Sequence, residues 1–310
     1  MTELLIIGAG YTGKILADRA LQEHANITAV RGTSRDQETL DALDAMGARG
    51  VRFDLLEDDA DALSAHITPS TWVVYSAPTL YKSYEQADEP GAPARHVAPV
   101  RAVLKQAARQ GARGFIYLSS TSVYGDHDGE VVDEESAREP TSPFGKMRAE
   151  IEDEVLAGSH GEHIDHLIVA RIVGIYGPGR TLAEYIAKGR YKLVDGGKKV
   201  TNRVHVEDIA RAILAMIERA PAGANAYNVC DGDPRSVREL VDEVCVLTET
   251  PYPEEVSLEQ LASERGENVA SRWRNSYRCS NAKLVEELDW SPLYPNALAG
   301  YRAILGGDQT

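Results

Sequence analysis

Residues 3–7, Glu-Leu-Leu-Ile-Ile, run straight into Gly8-Ala9-Gly10-Tyr11-Thr12-Gly13. A short continuous apolar run reads as a buried strand, and the apolar spacing of the adjoining KILADRALQEH reads as a helix. Glycines at G-x-G-x-x-G spacing are a weak signal alone and a strong one between a strand and a helix. Gly8 permits the tight turn, Gly10 lets backbone N–H groups approach a pyrophosphate, and Gly13 lets the helix pack close on the strand. Tyr11 and Thr12 complete the turn, and the helix N-terminus adds partial positive charge. The turn therefore predicts a dinucleotide site.

The rest of the chain repeats this rhythm. Strands are expected at 27–30, in a stretch ending at Asp54, and at 71–77, 114–120 and 164–172. Helices are expected between them, at 36–46, 58–65, near 94–110 and at 145–157. Alternation with short connections specifies an α/β class, a doubly wound parallel sheet of Rossmann type. After about residue 175 the rhythm loosens. The expected organisation is a dinucleotide-binding domain over 1–175, with 200–230 returning to it. Residues 176–310 would form a smaller mixed α/β cap over the carboxyl edge of the sheet, with two or three helices in 234–310.

Composition narrows the function. The net charge is −15 and no run of five Lys/Arg occurs, which argues against nucleic-acid binding. Cys230, Cys245 and Cys279 show neither metal-ligand spacing nor a CxxC pair, so inert thiols in a reducing, cytoplasmic setting are expected. The N-terminus lacks a basic leader, and no apolar span of 18 residues occurs, so no membrane segment is expected. His160, His163 and His166 crowd one loop without the helical or paired-strand spacing of a metal site, so no metal is expected.

The cofactor's identity turns on the residues just after the second strand. An NAD site places an acid there, on the ribose 2′-hydroxyl. This chain has Arg31, Thr33, Ser34 and Arg35 ahead of Asp36. Two arginines and two hydroxyls suit a 2′-phosphate, so NADP is expected, with NAD through Asp36 as the alternative. Asp54 and Leu55, after the third strand, would meet the adenine. Ser76, Ala77 and Pro78, after the fourth, would lie near the nicotinamide ribose.

With these residues placed, the chain resembles the extended short-chain dehydrogenase/reductase superfamily, in its sugar-nucleotide epimerase and dehydratase group. The resemblance spans nearly the whole chain: YLSSTSVYGD (117–126), IYGPGR (175–180), RVHVEDIA (203–210) and YRCSNAKLVEELDW (277–290), where Asp289 replaces a usual glycine. It implies catalysis by a Ser/Thr, a Tyr and a Lys in Y-x-x-x-K. Ser120 matches the serine. The family's SPYGKSK corresponds to SPFGKMR, so Phe144 stands at the tyrosine and Arg148 at the lysine. Phenylalanine has no proton to exchange. Arg148 stays charged and could still hold a ribose, but it is a poor relay. Ile7 also stands where extended members carry their first glycine. Both departures resemble the atypical, YeeZ-like subgroup, which keeps the cofactor fold and lacks the tyrosine.

The remaining candidates divide by position. Tyr81 and Tyr84 come after the fourth strand, and Tyr81 is taken as a substrate-side residue. Arg180, Asn202 and Arg203 could fork onto a substrate phosphate or carboxylate. Tyr124, His96, His205 and Asp208 read as structural. The resemblance further implies a small-molecule substrate of sugar-nucleotide class and a homodimer through helices 94–110 and 145–157. Three readings stay open: an oxidoreductase or epimerase-like enzyme with a substitute acid, a non-catalytic cofactor-binding sensor or scaffold, and a non-redox lyase or isomerase.

Overall fold

A computed structural model describes residues 1–78, 91–158 and 164–306. Its first elements are β1 (Thr2–Ile7), α1 (Tyr11–Glu23), β2 (Ile27–Ser34), α2 (Gln37–Ala45), β3 (Arg49–Arg52) and β4 (Thr71–Tyr75). Next come α3 (Ala92–Arg109), β5 (Gly114–Ser120), the short β6 (Val131–Val132), α4 (Pro143–Ala157) and β7 (His166–Ile172). β8 (Gly174–Tyr176), α5 (Leu182–Ala187), β9 (Leu193–Val194), β10 (Val200–Thr201), β11 (Arg203–His205), α6 (Val206–Arg219) and β12 (Gly223–Val229) come after them. The chain continues through β13 (Arg235–Ser236), α7 (Val237–Thr248), β14 (Glu255–Val256), α8 (Leu258–Arg265) and α9 (Glu267–Arg274). It closes with β15 (Arg278–Cys279), α10 (Ala282–Leu288) and α11 (Ala297–Gly306).

Among the described residues, seven strands form one sheet in the order β12-β7-β5-β4-β1-β2-β3. Every neighbouring pair in it is parallel. The doubly wound sheet expected from the alternation is thus present. Its strands are apolar on both faces because both are covered. Leu4, Ile6, Trp72, Val74, Ile116 and Ile168 enter one core with α1 and α6. Leu5, Ile7, Val73, Phe115 and Val169 enter the other with α3 and α4. The winding reverses between β1 and β4, and the crevice at their carboxyl ends is where ligands of such sheets sit.

Local chemistry fixes the helix starts. The Asp36 side chain accepts the Thr39 N–H at the head of α2. Ser142 does the same for Gly145 at the head of α4, with Pro143 just inside it, where its missing N–H costs nothing. Ser236 and Glu239 make a reciprocal capping box on α7.

Three expectations change. The second strand does not stop at Val30: it runs to Ser34, because Arg31–Ser34 pair with Arg49–Arg52. The helix expected at 58–65 spans 60–66 and is of 3-10 type. Five helices, not two or three, lie within 234–306, several of them short segments between the small paired strands.

Candidate functional site

The glycine turn has the shape its sequence requires. The Gly8 N–H donates to Thr33 Oγ1 at 2.9 Å, and the Ala9 N–H to the Thr33 carbonyl at 2.8 Å. Gly8 has φ +81°, and a Cβ there would lie 2.5 Å from Ala77 Cα. A side chain is excluded twice, by conformation and by the loop that leaves β4. The Ser76 N–H, donating to the Ile7 carbonyl at 2.9 Å, fixes that loop. A Cβ on Gly13 would meet Ile6 Cγ2 at 3.1 Å, which is the close packing of α1 on β1. A Cβ on Gly10 would meet nothing within 4 Å. The space beside Gly10 at the head of α1 is therefore open, and a helix N-terminus with such space fits a dinucleotide's diphosphate.

The strand extension redistributes the residues after β2. Arg31 sits in mid-strand, and its guanidinium reaches Glu3 at 2.9 Å, near the opposite end of the sheet from the glycine turn. Arg31 is thus taken out of the expected 2′-phosphate set. Thr33 is buried, with its hydroxyl engaged by Gly8. Ser34 and Arg35 remain at the carboxyl edge. Arg35 is two-thirds exposed and lies 3.8 Å from the Asp54 carboxylate. Asp36 Oδ2 holds both the Thr39 N–H and hydroxyl. Asp54 accepts the Leu56 N–H, and Leu55 packs against the core.

Ser120 closes β5, where its hydroxyl accepts the Ser122 N–H at 3.2 Å. Phe144 and Arg148 lie one turn apart on α4, both partly buried, with Arg148 donating to the Phe144 carbonyl at 3.4 Å. No carboxylate among the described residues pairs with Arg148. Burial, reinforced by the Arg148 charge, pushes the His96 imidazole down to about 4.

Tyr124 is no substitute acid. It is fully buried, its hydroxyl donates to Asn228 Oδ1 at 2.8 Å, and it accepts from Arg171 at 2.9 Å. Burial pushes the phenol well above its ordinary range, against the opposing pull of Arg171. Behind it lies a network the sequence reading missed. Glu152 of α4, fully buried, takes Arg171 at 3.0 Å, Arg138 at 3.2 Å and the Ser119 hydroxyl at 2.6 Å. The available signal was Arg171 itself, a charge inside the apolar run HLIVARI, since buried arginines are rare unless paired.

Beyond β7 the substrate-side candidates separate. Asn202 spends its side chain on the Tyr277 carbonyl (3.0 Å) and the Cys279 N–H (2.8 Å), so it anchors β15. Arg203 packs against Gly174, with Nε buried and unpartnered. Arg180 is exposed beside Tyr11. Tyr81, Tyr84, His160 and His163 lie outside the described residues. Asp208 accepts the Leu293 and Tyr294 N–H groups at 2.6 and 3.1 Å, and His205 caps α6.

Asp231, 5% exposed, has its Oδ2 buried without a partner among the described residues. Burial raises it to about 8, with Asp233 and Asp208 adding to the rise and Arg203 opposing it. Between the ordinary carboxylate range and about 8, the folded chain keeps a proton that the unfolded chain has lost. The stability this proton carries is full at low pH and disappears as pH rises through that window. Asp208, raised by burial to about 6, acts in the same sense. His205, lowered by burial to about 4, acts oppositely below its ordinary range. Relative to Asp231→Asn, the native chain is expected to lose roughly 1 kcal/mol per pH unit between pH 5 and 7. Urea midpoints across pH 5–8 read this directly, and parallel profiles would refute it.

Comparison with known proteins agrees with this fold. Residues 4–230 match the model of the NAD dependent epimerase/dehydratase family. Protein YeeZ of Escherichia coli K12 is 29% identical over 241 residues, covering 74% of this chain and 78% of that protein. A solved structure of a functionally unknown conserved protein from Silicibacter pomeroyi superposes with TM-score 0.77 at 28% identity, over 100% of both chains. The dTDP-glucose 4,6-dehydratase DesIV of Streptomyces venezuelae, with NAD and TYD bound, shares the fold at TM-score 0.81 and 21% identity, over 98% of this chain and 96% of that one. No described helix is long and apolar enough to cross a membrane. The chain belongs to the NAD dependent epimerase/dehydratase family, as an NAD(P)-binding protein of short-chain dehydrogenase/reductase type.

Proposed function

We propose that the chain is an NADP-preferring oxidoreductase or epimerase-like enzyme that works without the usual Tyr/Lys pair. The observation that carries the cofactor preference is Asp36. Its carboxylate is spent on Thr39 at the head of α2, while Arg35 stands exposed at the end of β2. Ser34 and Arg35 would bind the 2′-phosphate. Gly8, Gly10, Tyr11, Thr12 and Gly13 would cradle the diphosphate, Asp54 and Leu55 the adenine, and Ser76, Ala77 and Pro78 the nicotinamide ribose. Bound NADP would supply the hydride chemistry. Ser120 would orient the substrate oxygen, and Arg148 would hold the ribose without relaying a proton. Water at Ser120 would carry the proton that Phe144 cannot.

Residues 1–175 with 200–230 would form the cofactor half, and 176–310 the substrate cap. A sugar nucleotide is the substrate class suggested by the dehydratase with which the chain shares its fold. A cytoplasmic homodimer through α3 and α4 completes the reading. The second reading, a cofactor-binding sensor, is favoured by the burial of Tyr124, which leaves no phenol free near Ser120 on that loop.

Calorimetric titration with NADPH, NADP, NADH and NAD tests the proposal. The phosphorylated pair is expected to bind in the micromolar range and the others far more weakly. Arg35→Ala should weaken the phosphorylated pair about 10- to 100-fold, as loss of a charged hydrogen bond does. Equal affinity for NAD and NADP would overturn the preference, and no binding at all the function. Turnover abolished by Ser120→Ala would exclude the sensor.

A further inference from the structure

The turn after β8 is built onto the glycine loop. Tyr11, the first residue of α1, donates its hydroxyl to the Pro178 carbonyl at 3.0 Å. Gly177 approaches so closely that a Cβ there would lie 2.5 Å from that hydroxyl and 2.7 Å from Val206 Cγ1. Gly177 and Arg180 exchange backbone hydrogen bonds at 2.9 and 3.3 Å, closing the turn. The Arg180 guanidinium carbon then lies 5.8 Å from the centre of the Tyr11 ring. Burial raises the Tyr11 phenol to about 12, with Arg180 opposing that rise. Arg180 is exposed, and no carboxylate among the described residues pairs with it. The same loop leaves open space at Gly10.

We propose that Arg180 is a ligand of the cofactor's diphosphate, held over the glycine loop by Tyr11, and not a residue for the substrate's phosphate. An unpaired guanidinium beside a helix N-terminus with open space in front supplies what a diphosphate needs: fixed N–H donors on one side and a planar fork on the other. This rests on the NADP reading above.

The test uses the full chain, with two ligands and no substrate. NADP carries both the 2′-phosphate and the diphosphate, whereas 2′-AMP carries only the former. Arg180→Gln is expected to weaken NADP about 10- to 100-fold, to flatten the salt dependence of its binding, and to leave 2′-AMP affinity unchanged. Arg180→Lys should recover part of the loss. Arg35→Ala should weaken both ligands. Tyr11→Phe, which keeps the ring and loses the Pro178 bond, should fall between Arg180→Gln and the native chain. An Arg180→Gln affinity for NADP within twofold of native would overturn this inference alone. An equal loss of 2′-AMP would also overturn it, since the effect would then not be on the diphosphate. If the native chain binds no dinucleotide, both this inference and the functional reading fall.

Discussion

Glu152→Ala is expected to destabilise the chain by about 3–5 kcal/mol, the range for breaking a buried ion pair from one side. Three groups converge on that carboxylate: Arg171, Arg138 and the Ser119 hydroxyl. Arg171 is 3% exposed and has nowhere to take its charge. Once Glu152 is gone, the guanidinium retains, among the described residues, only Tyr124 and the Glu134 carbonyl as hydrogen-bond acceptors, both neutral. Urea unfolding at neutral pH measures the loss. A double change to methionine at 152 and 171 should recover much of it, because an apolar pair of similar size removes the charge left stranded. A loss under about 1 kcal/mol would mean that water reaches Arg171, and would demote the network to packing.

Gly8→Ala is the second large effect. The left-handed backbone costs a side chain about 1–2 kcal/mol, and the overlap with Ala77 adds about 1–3 kcal/mol. The turn can relieve the overlap only by giving up the bonds to Thr33 that shape it. Stability should therefore fall by about 2–5 kcal/mol, and dinucleotide binding should be lost with the turn. Gly10→Ala makes the contrast. Its Cβ meets nothing, but its backbone, at φ −74° and ψ −144°, lies outside the regions a side chain prefers. Stability should fall by about 1 kcal/mol from the backbone alone, with no overlap to add to it, while dinucleotide affinity falls, because the methyl takes the ligand's space. If dinucleotide affinity is unchanged in Gly10→Ala, the open space at that turn is not a ligand's.

The sheet was legible because both sequence signals were local: apolar runs of strand length, and turn glycines between a strand and a helix. The end of β2 was not. Arg-Gly-Thr-Ser looks like loop, yet pairing with β3 holds it in the sheet, and that pairing is a tertiary fact invisible in four residues. This one error put Arg31 in a loop at the carboxyl edge, whereas it sits in mid-strand with its guanidinium on Glu3. Asn202 misled differently. An amide next to an arginine reads as a ligand site, but its partners lie 75 and 77 positions away in sequence. Glu152 was hidden among the charges of an amphipathic helix, where nothing in the spacing marks which acid faces inward. The glycine turn needed no long-range information, and its three glycines stand in the geometry their order implies.

The place of β12 at the sheet edge has a consequence during synthesis. When Ile172 leaves the ribosome, β7 is still an open edge. Asn228, which receives the Tyr124 hydroxyl, has not yet been made. At common translation rates the missing strand emerges about 3–11 s later. Through that interval the nascent chain carries a nearly complete cofactor fold with one unpaired apolar strand, the kind of edge that seeks a neighbour. The newborn chain is thus most exposed to pairing with other chains just before it can close on itself, and a chaperone's protection would matter most there.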